Sequence, residues 1–456
     1  MLRSILVSFC SLILRIFFRR IEVLGRHHLP PEGSVLFVLN HPNGLVDPLF
    51  ILCLSGKRVS FLAKEPLFRT PIISIFVKAF ESLAVYRSRD GADPARNQLM
   101  MKAAARLLAS GNALAIFPEG TSHSAPQLLP FRSGAARIAL ASRALGEQEV
   151  YLVPTAIYYE EKESFRSRAV LAFGQAIQVP HLALGESGES PSDAVRSLTF
   201  DLAKQVEGLL PTAQEEAGLE LAEHAERIVS VAVAESPQRC PSAAKIFERT
   251  VSPSLGQRMI SRRRLIDGYQ KVIDSKNSEV QELISRIQNL RQILKNARLP
   301  LDATTTPLSA KEKTQVFFLV LGSLLLAPLA ALSVIINGPA YLLVRFISRR
   351  YSGADLDVVA TVKVLAALLL FPGAWLVTGV VTAYFTHLAP ALLVGLLGPV
   401  LGAASIQFMA WTGTLRRKSQ ASFRAARANL DWNFIREERA QLSEELARLL
   451  LTSPSD

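Results

Sequence analysis

Between Ile21 and about Leu210, short apolar runs alternate with polar stretches that have helical signals at both ends. Val35–Leu39, Val59–Ala63, Leu83–Tyr86, Leu114–Phe117, Tyr151–Tyr158 and Ala169–Phe173 are rich in β-branched and aromatic residues and have the length of strands. Asp93-Pro94 supplies a capping residue and a first-turn proline for a helix that runs to Ser110 and stops at Gly111. A second helix is expected from Ser133 to Leu145 ahead of Gly146, and a third from Ser192 to just before Pro211. Strands alternating with helices predict an α/β domain over 21–211, a mainly parallel sheet flanked by helices.

The pattern changes on either side of that domain. Residues Ile5 to Phe18 are almost wholly apolar, with only Arg15 charged, too short to span a bilayer comfortably, and Arg19-Arg20 follow. This reads as an interfacial helix over 1–20 with Arg15 snorkelling, a buried amphipathic helix being the alternative. Residues 212–300 read as a polar helical module. Within it Val280, Leu283, Ile284, Ile287, Leu290 and Leu294 form a helical stripe, suited to packing as a hairpin on the catalytic domain or, less well, to a coiled coil.

Two long uncharged tracts come next. Thr314 to Val344 carries no charge over 31 residues, and Val364 to Leu415 carries none apart from His387. The second tract divides near His387 into two membrane spans (361–413), each longer than the ~20 residues a bilayer requires. Over 314–350 the length suits neither one span nor two, and Pro328 and Asn337-Gly338-Pro339 are candidate breaks. Basic clusters stand before this tract (Lys311, Lys313), after it (Arg345, Arg349, Arg350) and after the last span (Arg416, Arg417, Lys418). Positive charge retained on one face predicts a re-entrant hairpin, then a two-span hairpin, with a single crossing as the alternative. The segment 416–456 is an amphipathic basic helix that either lies on the bilayer or packs on the catalytic domain.

Composition narrows the partners. The chain has 456 residues and a net charge of +12, which favours a membrane surface, a phosphorylated substrate or nucleic acid. No zinc-finger or helix-turn-helix pattern accompanies the long apolar spans, so nucleic acid is not expected. The three cysteines, Cys10, Cys53 and Cys240, are far apart and form neither a metal nor a disulfide pattern. That fits a reducing, cytoplasmic face for the catalytic domain of an integral membrane protein.

The candidate chemistry lies where two apolar runs end. Val35–Leu39 delivers His41 and, six residues later, Asp47, with Gly44 and Pro48 bracketing the turn. A carboxylate within reach of a strand-end imidazole fixes its tautomer and stabilises the imidazolium formed when it accepts a proton. Leu114–Phe117 delivers Glu119-Gly120-Thr121-Ser122, a turn rich in groups that bind phosphates and hydroxyls.

With these two stretches, Asn40 to Pro48 and Phe117 to His123, the chain resembles the glycerolipid acyltransferase superfamily, which contains lysophosphatidate and glycerol-3-phosphate acyltransferases. Most members have four residues between His and Asp; the five found here are shared with a branch that acylates glycerol 3-phosphate or dihydroxyacetone phosphate. Phe165-Arg166-Ser167-Arg168 and Arg262 to Tyr269 resemble that branch too.

The resemblance implies His41 as general base and Asp47 as its orienting partner, with direct transfer from a thioester to an acceptor hydroxyl. By the same likeness Arg87 corresponds to the arginine of the family's second motif, although Glu81 and Ala84 stand where glycine and proline are usual. Lys64 is a second candidate for the acceptor phosphate. Asn43, Glu119, Gly120, Thr121 and Ser122 are expected to bind the acceptor, Pro154 to lie on the acyl-donor side, and Arg166 and Arg168 to touch phosphate or coenzyme A. Backbone N–H groups near Gly44 or Gly120 are candidates for holding the oxyanion. His123 reads as a turn hydrogen-bonder, and the other histidines show no clustering that suggests a metal.

The expected activity is acyl transfer from acyl-CoA or acyl carrier protein, as co-substrate and without a bound cofactor, to glycerol 3-phosphate or dihydroxyacetone phosphate. Lysophosphatidate is the alternative acceptor. A non-enzymatic membrane-shaping or lipid-binding protein is the competing class; a metal-dependent hydrolase would need more ligands than His41 and Asp47. Membrane lipid is an expected partner, and the oligomeric state is left open.

Overall fold

The apolar runs of the first two hundred or so residues become strands of one sheet in the computed structural model, which describes residues 2–71, 73–86, 94–185, 190–247, 253–273, 278–303, 310–351 and 356–452. The elements run α1 (Leu2–Phe17), β1 (Arg20–Leu24), β2 (Ser34–Leu39), α2 (Asp47–Leu54), β3 (Val59–Lys64), α3 (Ile73–Ala79) and β4 (Leu83–Val85). They continue with α4 (Pro94–Ala109), β5 (Ala113–Ile116), α5 (Gly134–Leu145), β6 (Val150–Tyr159), β7 (Arg168–Phe173), β8 (Ile177–Gln178) and α6 (Ser192–Glu207). After these come α7 (Glu216–Glu235), α8 (Pro241–Ile246), α9 (Leu255–Ile273), α10 (Ser278–Asn296), α11 (Ala310–Tyr351), α12 (Leu356–Phe385), α13 (Leu388–Arg427) and α14 (Trp432–Thr452).

The strand order is β1-β7-β6-β2-β5-β3-β4, with β8 pairing β6. All pairs are parallel except β6 with β7 and β6 with β8. Every residue of β2 is buried, because β5 and β6 flank it and helices cover its faces. Alternate side chains point to opposite faces of a strand. Leu36 and Val38 join Leu108 of α4, Ile138 and Leu140 of α5 and Leu202 of α6 in one core. Phe37 meets Phe173 instead, with ring centroids 5.9 Å apart. Each such side chain contributes roughly 1.5–3 kcal/mol by leaving water.

α4 stops where the sequence signals it, with Gly111 at φ +88°, a backbone state that glycine adopts without a Cβ clash. Pro154 sits inside β6, between the stretch paired to β8 (Tyr151, Leu152) and the stretch paired to β7 from Thr155 onward. It therefore falls where no ladder donor is required on that edge. The sequence reading missed β1 and β8, which are short and lie at the margins of the sheet.

The chain divides into two units: Met1–Leu219 with Ser254–Ile266 and Ala354–Thr361, and Glu220–Pro253 with Asp267–Gly353 and Val362–Asp456. In the second unit the α10 stripe is buried at Val280, Leu283, Ile287, Leu290 and Leu294. Its neighbour is α14: Arg286 bonds Glu438 at 2.8 Å and Glu445 at 2.9 Å. α14 buries Ile435, Leu442 and Ala447, and its Arg439 donates to the carbonyls of Leu301 and Ala303 at 2.7 and 2.9 Å. α14 thus packs on α10 and, through Glu444 to Ser242, on α8, helices of its own unit rather than the catalytic domain expected as one of its two uses.

α11 is one continuous helix of 42 residues, not the expected re-entrant hairpin; it passes through both Pro328 and Pro339. Helices packed alongside can absorb the backbone group that a proline leaves unpaired. Asn337 ties α11 to such neighbours: it donates to the Gly398 carbonyl of α13 at 3.3 Å and accepts from Trp375 Nε1 of α12 at 2.8 Å. The second apolar tract does turn at His387, between α12 and α13. Lys313–Tyr351 and Val358–Phe385 are long and apolar enough to cross a membrane. Their outward side chains, such as Leu325, Ile335, Phe346, Leu376 and Val380, are exposed apolar groups of the kind a lipid phase would cover.

Candidate active site

Register brings the two motif turns together. Val38 of β2 pairs with Ile116 of β5 in a parallel ladder. Three residues farther on each strand stand His41 and Glu119, and the His41 N–H donates to Glu119 Oε1 at 2.8 Å. This is the carboxyl end of the sheet, where open α/β sheets place their ligand sites.

Asp47 opens α2 and is fully buried. Its Oδ2 accepts from His41 Nδ1 at 2.8 Å and from the Asn43 N–H at 2.7 Å, while Oδ1 accepts from the Tyr159 hydroxyl at 2.6 Å. Burial pushes the Asp47 carboxyl above its ordinary pKa, and the donors, His41 foremost, oppose the shift. Tyr159 is held well above the usual phenol range by burial and by Asp47, so it stays a neutral donor. A carboxylate bonded to Nδ1 assigns the imidazole proton to that nitrogen and leaves Nε2 with the lone pair of a base. The ring stacks on Phe117, centroids 4.2 Å apart and planes 23° from parallel, which fixes its tilt.

The N–H groups of the loop can be followed one by one. His41 donates to Glu119, Asn43 to Asp47, Leu45 to the Thr361 hydroxyl at 3.1 Å, and Val46 and Asp47 to the Asn43 carbonyl at 3.2 and 3.1 Å. Pro42 has no N–H. That leaves Gly44, which donates to nothing among the described residues.

Glu119 is buried with both carboxylate oxygens engaged. Besides the His41 N–H it accepts from the Leu129 N–H at 2.8 Å and from His123 Nε2. His123 Nδ1 in turn accepts from the Ala125 N–H at 3.1 Å, which fixes that ring as a donor toward Glu119. Gly120, at φ +75°, lies under the Arg132 guanidinium; a Cβ there would meet Arg132 Nε at 3.0 Å. Lys162 Nζ links the two turns by donating to the Pro42 carbonyl at 3.0 Å and to Ser124 Oγ at 2.5 Å.

Of the other expected site residues, Asn43, Thr121, Ser122 and Lys64 lie with the two turns or at their edge of the sheet, whereas Arg166 and Arg168 are committed to other partners. Asn43 is buried, its Nδ2 donating to the Lys162 carbonyl at 3.3 Å and its Oδ1 accepting nothing among the described residues. Thr121 and Ser122 continue the Glu119 turn, partly buried, and Lys64 ends β3 at the same edge of the sheet. Pro154 is a buried strand residue whose carbonyl accepts from the Gly174 N–H at 2.7 Å. Arg168 is spent on Glu160, a two-pronged pair at 2.8 and 2.6 Å. Arg166, at φ +65°, donates to the carbonyls of Arg15 and Phe18 at 3.1 and 3.5 Å and so ties down the end of α1. Arg87 lies outside the described residues.

Tyr159, Lys162, Arg132 and Phe117 escaped the sequence reading as members of the site. Arg132 carries a local signal, a cation one residue before the helix-opening Ser133-Gly134. Tyr159 carries none, being 112 residues from Asp47.

Residues 20–158 match the Acyltransferase family model. "Glycerol-3-phosphate O-acyltransferase 1" of Saccharomyces cerevisiae is 24% identical over 480 residues, covering 83% of this chain and 61% of the relative. "Lyso-ornithine lipid O-acyltransferase" of Brucella abortus is 32% identical over 154 residues, covering 33% of this chain and 54% of the relative. The chain thus spans less than two thirds of either relative's length. The crystal structure of the 1-acyl-sn-glycerophosphate (LPA) acyltransferase of Thermotoga maritima matches 44% of this chain and 76% of its own, at 19% identity and a TM-score of 0.34.

Proposed function

We propose that this chain, whose residues 20–158 form an acyltransferase-family domain, is a membrane-bound O-acyltransferase. It moves a fatty acyl group from a thioester donor to a hydroxyl of a phosphorylated, glycerol-derived acceptor. The observation that carries the reading is the buried Asp47 bonded to His41 Nδ1, which leaves Nε2 as a base at the sheet's carboxyl edge. Nε2 takes the acceptor's hydroxyl proton as that oxygen attacks the thioester carbonyl. The negative charge that develops on the carbonyl oxygen is met by the Gly44 N–H. Collapse expels the thiolate, and the imidazolium, stabilised by Asp47, returns the proton to it. General-base help of this kind contributes ~10²–10⁴-fold. The Arg132 guanidinium over Gly120 is the described cation best placed for the acceptor phosphate, with Lys162 bridging the two turns beside it.

Lysophosphatidate is the better supported acceptor. Short likenesses to proteins named 1-acyl-sn-glycerol-3-phosphate acyltransferase recur, at 28% identity over 149 residues in Mus musculus and 28% over 133 in Limnanthes alba. Glycerol 3-phosphate is the second reading, favoured by the yeast likeness that runs along 83% of the chain and by the five-residue His-Asp spacing. The apolar helices Lys313–Tyr351 and Val358–Phe385 support a membrane location, where an acyl chain would be met.

The test is thiol release from palmitoyl-CoA by purified protein, with lysophosphatidate, glycerol 3-phosphate or dihydroxyacetone phosphate added in turn. Release with lysophosphatidate, lost in His41→Ala, is the expected result. Release with glycerol 3-phosphate alone moves the assignment to the second reading. Release with no acceptor, undiminished in folded His41→Ala protein, overturns the mechanism.

A further inference from the structure

The second unit contains a cleft of about 400 Å³ whose charged lining has no part in the chemistry above. Four cations reach it, Arg227 from α7, Arg291 and Lys295 from α10, and Arg298 just beyond α10, against two carboxylates, Glu220 and Glu223. Both carboxylates are engaged at the rim: Glu220 accepts from Arg291 and Glu223 from Arg227, each at 2.6 Å. No carboxylate among the described residues pairs with Lys295 or Arg298. Arg227 Nε is buried and has no hydrogen-bond partner among the described residues. Leu299, Pro300 and Leu301 add an apolar wall.

Local structure holds these cations in place. Arg291 and Lys295 stand one helical turn apart on the same face of α10. Arg298 adopts φ +56°, uncommon for a side-chain-bearing residue, with its N–H on the Lys295 carbonyl at 2.9 Å. Its own carbonyl accepts from Arg424 of α13 at 3.2 Å. Four cations against two carboxylates, with Lys295 and Arg298 uncompensated, suit an anion with several oxygens, and the volume admits a phosphate with an organic substituent.

We propose that this cleft binds a phosphomonoester anion, with Lys295 and Arg298 as its principal ligands and Arg227 and Arg291 closing the sides. Phosphatidate-like headgroups and soluble phosphates share that chemistry. Arg424 lies nine residues beyond Leu415, the last residue of the apolar tract, or about 14 Å along the helix, so a headgroup source is within range.

Hydrogen–deuterium exchange of the full chain in neutral detergent localises the site. The probes are inorganic phosphate, dioctanoyl phosphatidate and, as control, dioctanoyl phosphatidylcholine, at matched ionic strength. Slowed exchange in peptides covering 220–235 and 288–303 is expected with phosphatidate. The same protection from inorganic phosphate assigns a soluble source; protection from phosphatidate alone assigns the headgroup. Lys295→Gln and the double variant K295Q/R298Q change surface side chains without carboxylate partners, and each loss should weaken the half-saturation concentration about tenfold. Protection by neither anion, protection equal with phosphatidylcholine, or protection undiminished in both variants overturns the proposal.

Discussion

The Tyr159 hydroxyl donates to Asp47 Oδ1 at 2.6 Å, so the carboxylate that orients His41 is itself held by a phenol from the far end of β6. One oxygen of Asp47 serves His41 and the loop, the other serves Tyr159. This makes Tyr159 a positioning residue, and Tyr159→Phe tests it. Removing the donor raises the Asp47 pKa further, so the acid limb of the kcat/KM profile should move to higher pH. At neutral pH kcat should fall about tenfold, the scale of one hydrogen bond to a charged group. An unchanged acid limb would mean the phenol only fills space.

Asp47→Asn should be far more damaging than its size change suggests. Its amide must meet donors from Asn43 and Tyr159 as well as His41, and one of its two polar atoms can no longer accept. A loss of ~10²–10⁴ in kcat with the far-ultraviolet spectrum unchanged is the expected result.

Glu119 was expected to bind the acceptor, yet both its oxygens are filled by His41, Leu129 and His123. Glu119→Gln presents an NH₂ group to at least one of those donors. The loss should therefore appear in kcat and in a lower Tm, with acceptor KM changed less than about threefold; the destabilisation should be about 1–3 kcal/mol. A large rise in KM at constant kcat would return Glu119 to the acceptor-binding role.

Stability on the acid side should reflect Glu160, which the Arg168 hydrogen bonds hold below the ordinary carboxyl pKa. A depressed folded pKa adds stability above the unfolded value of 4.5, and that contribution disappears as pH falls through the folded pKa. Thermal melts of Glu160→Gln against the parent should differ at pH 6 and converge only as the pH falls below 4.5, through the depressed folded pKa. The pair is partly exposed, so the gap should shrink in high salt.

Among the apolar helices, Asn337 joins α11 to α12 through Trp375 and to α13 through Gly398. Asn337→Leu leaves the Trp375 N–H without that acceptor and should lower detergent-solubilised stability by about 1 kcal/mol. Trp375→Phe should give a smaller further loss when added to Asn337→Leu than it does alone, because the two share one bond.

Much of the catalytic geometry was legible locally. His41 and Asp47 lie within one turn, and the strands before His41 and Glu119 announce themselves by their β-branched and aromatic content. What the pattern could not state was which partners would already be satisfied. Arg166 and Arg168 look like available cations in a row of letters, but one is tied to backbone carbonyls and the other to Glu160. α11 likewise defeated a rule based on proline and length by running on through Pro328 and Pro339, and its Asn337 finds partners 38 and 61 positions away that no local pattern names.

The alternation of strands and helices, the turn that couples imidazole to carboxylate, and the apolar tracts can all be read from the order of residues. All of these depend on contacts between near neighbours along the chain. That Val38 pairs with Ile116, that Tyr159 reaches Asp47, and that Gly44 keeps its N–H free among the described residues emerges only in the folded chain. Those outcomes depend on strand register and on which donors find acceptors once buried, and both are settled by packing the whole sheet at once.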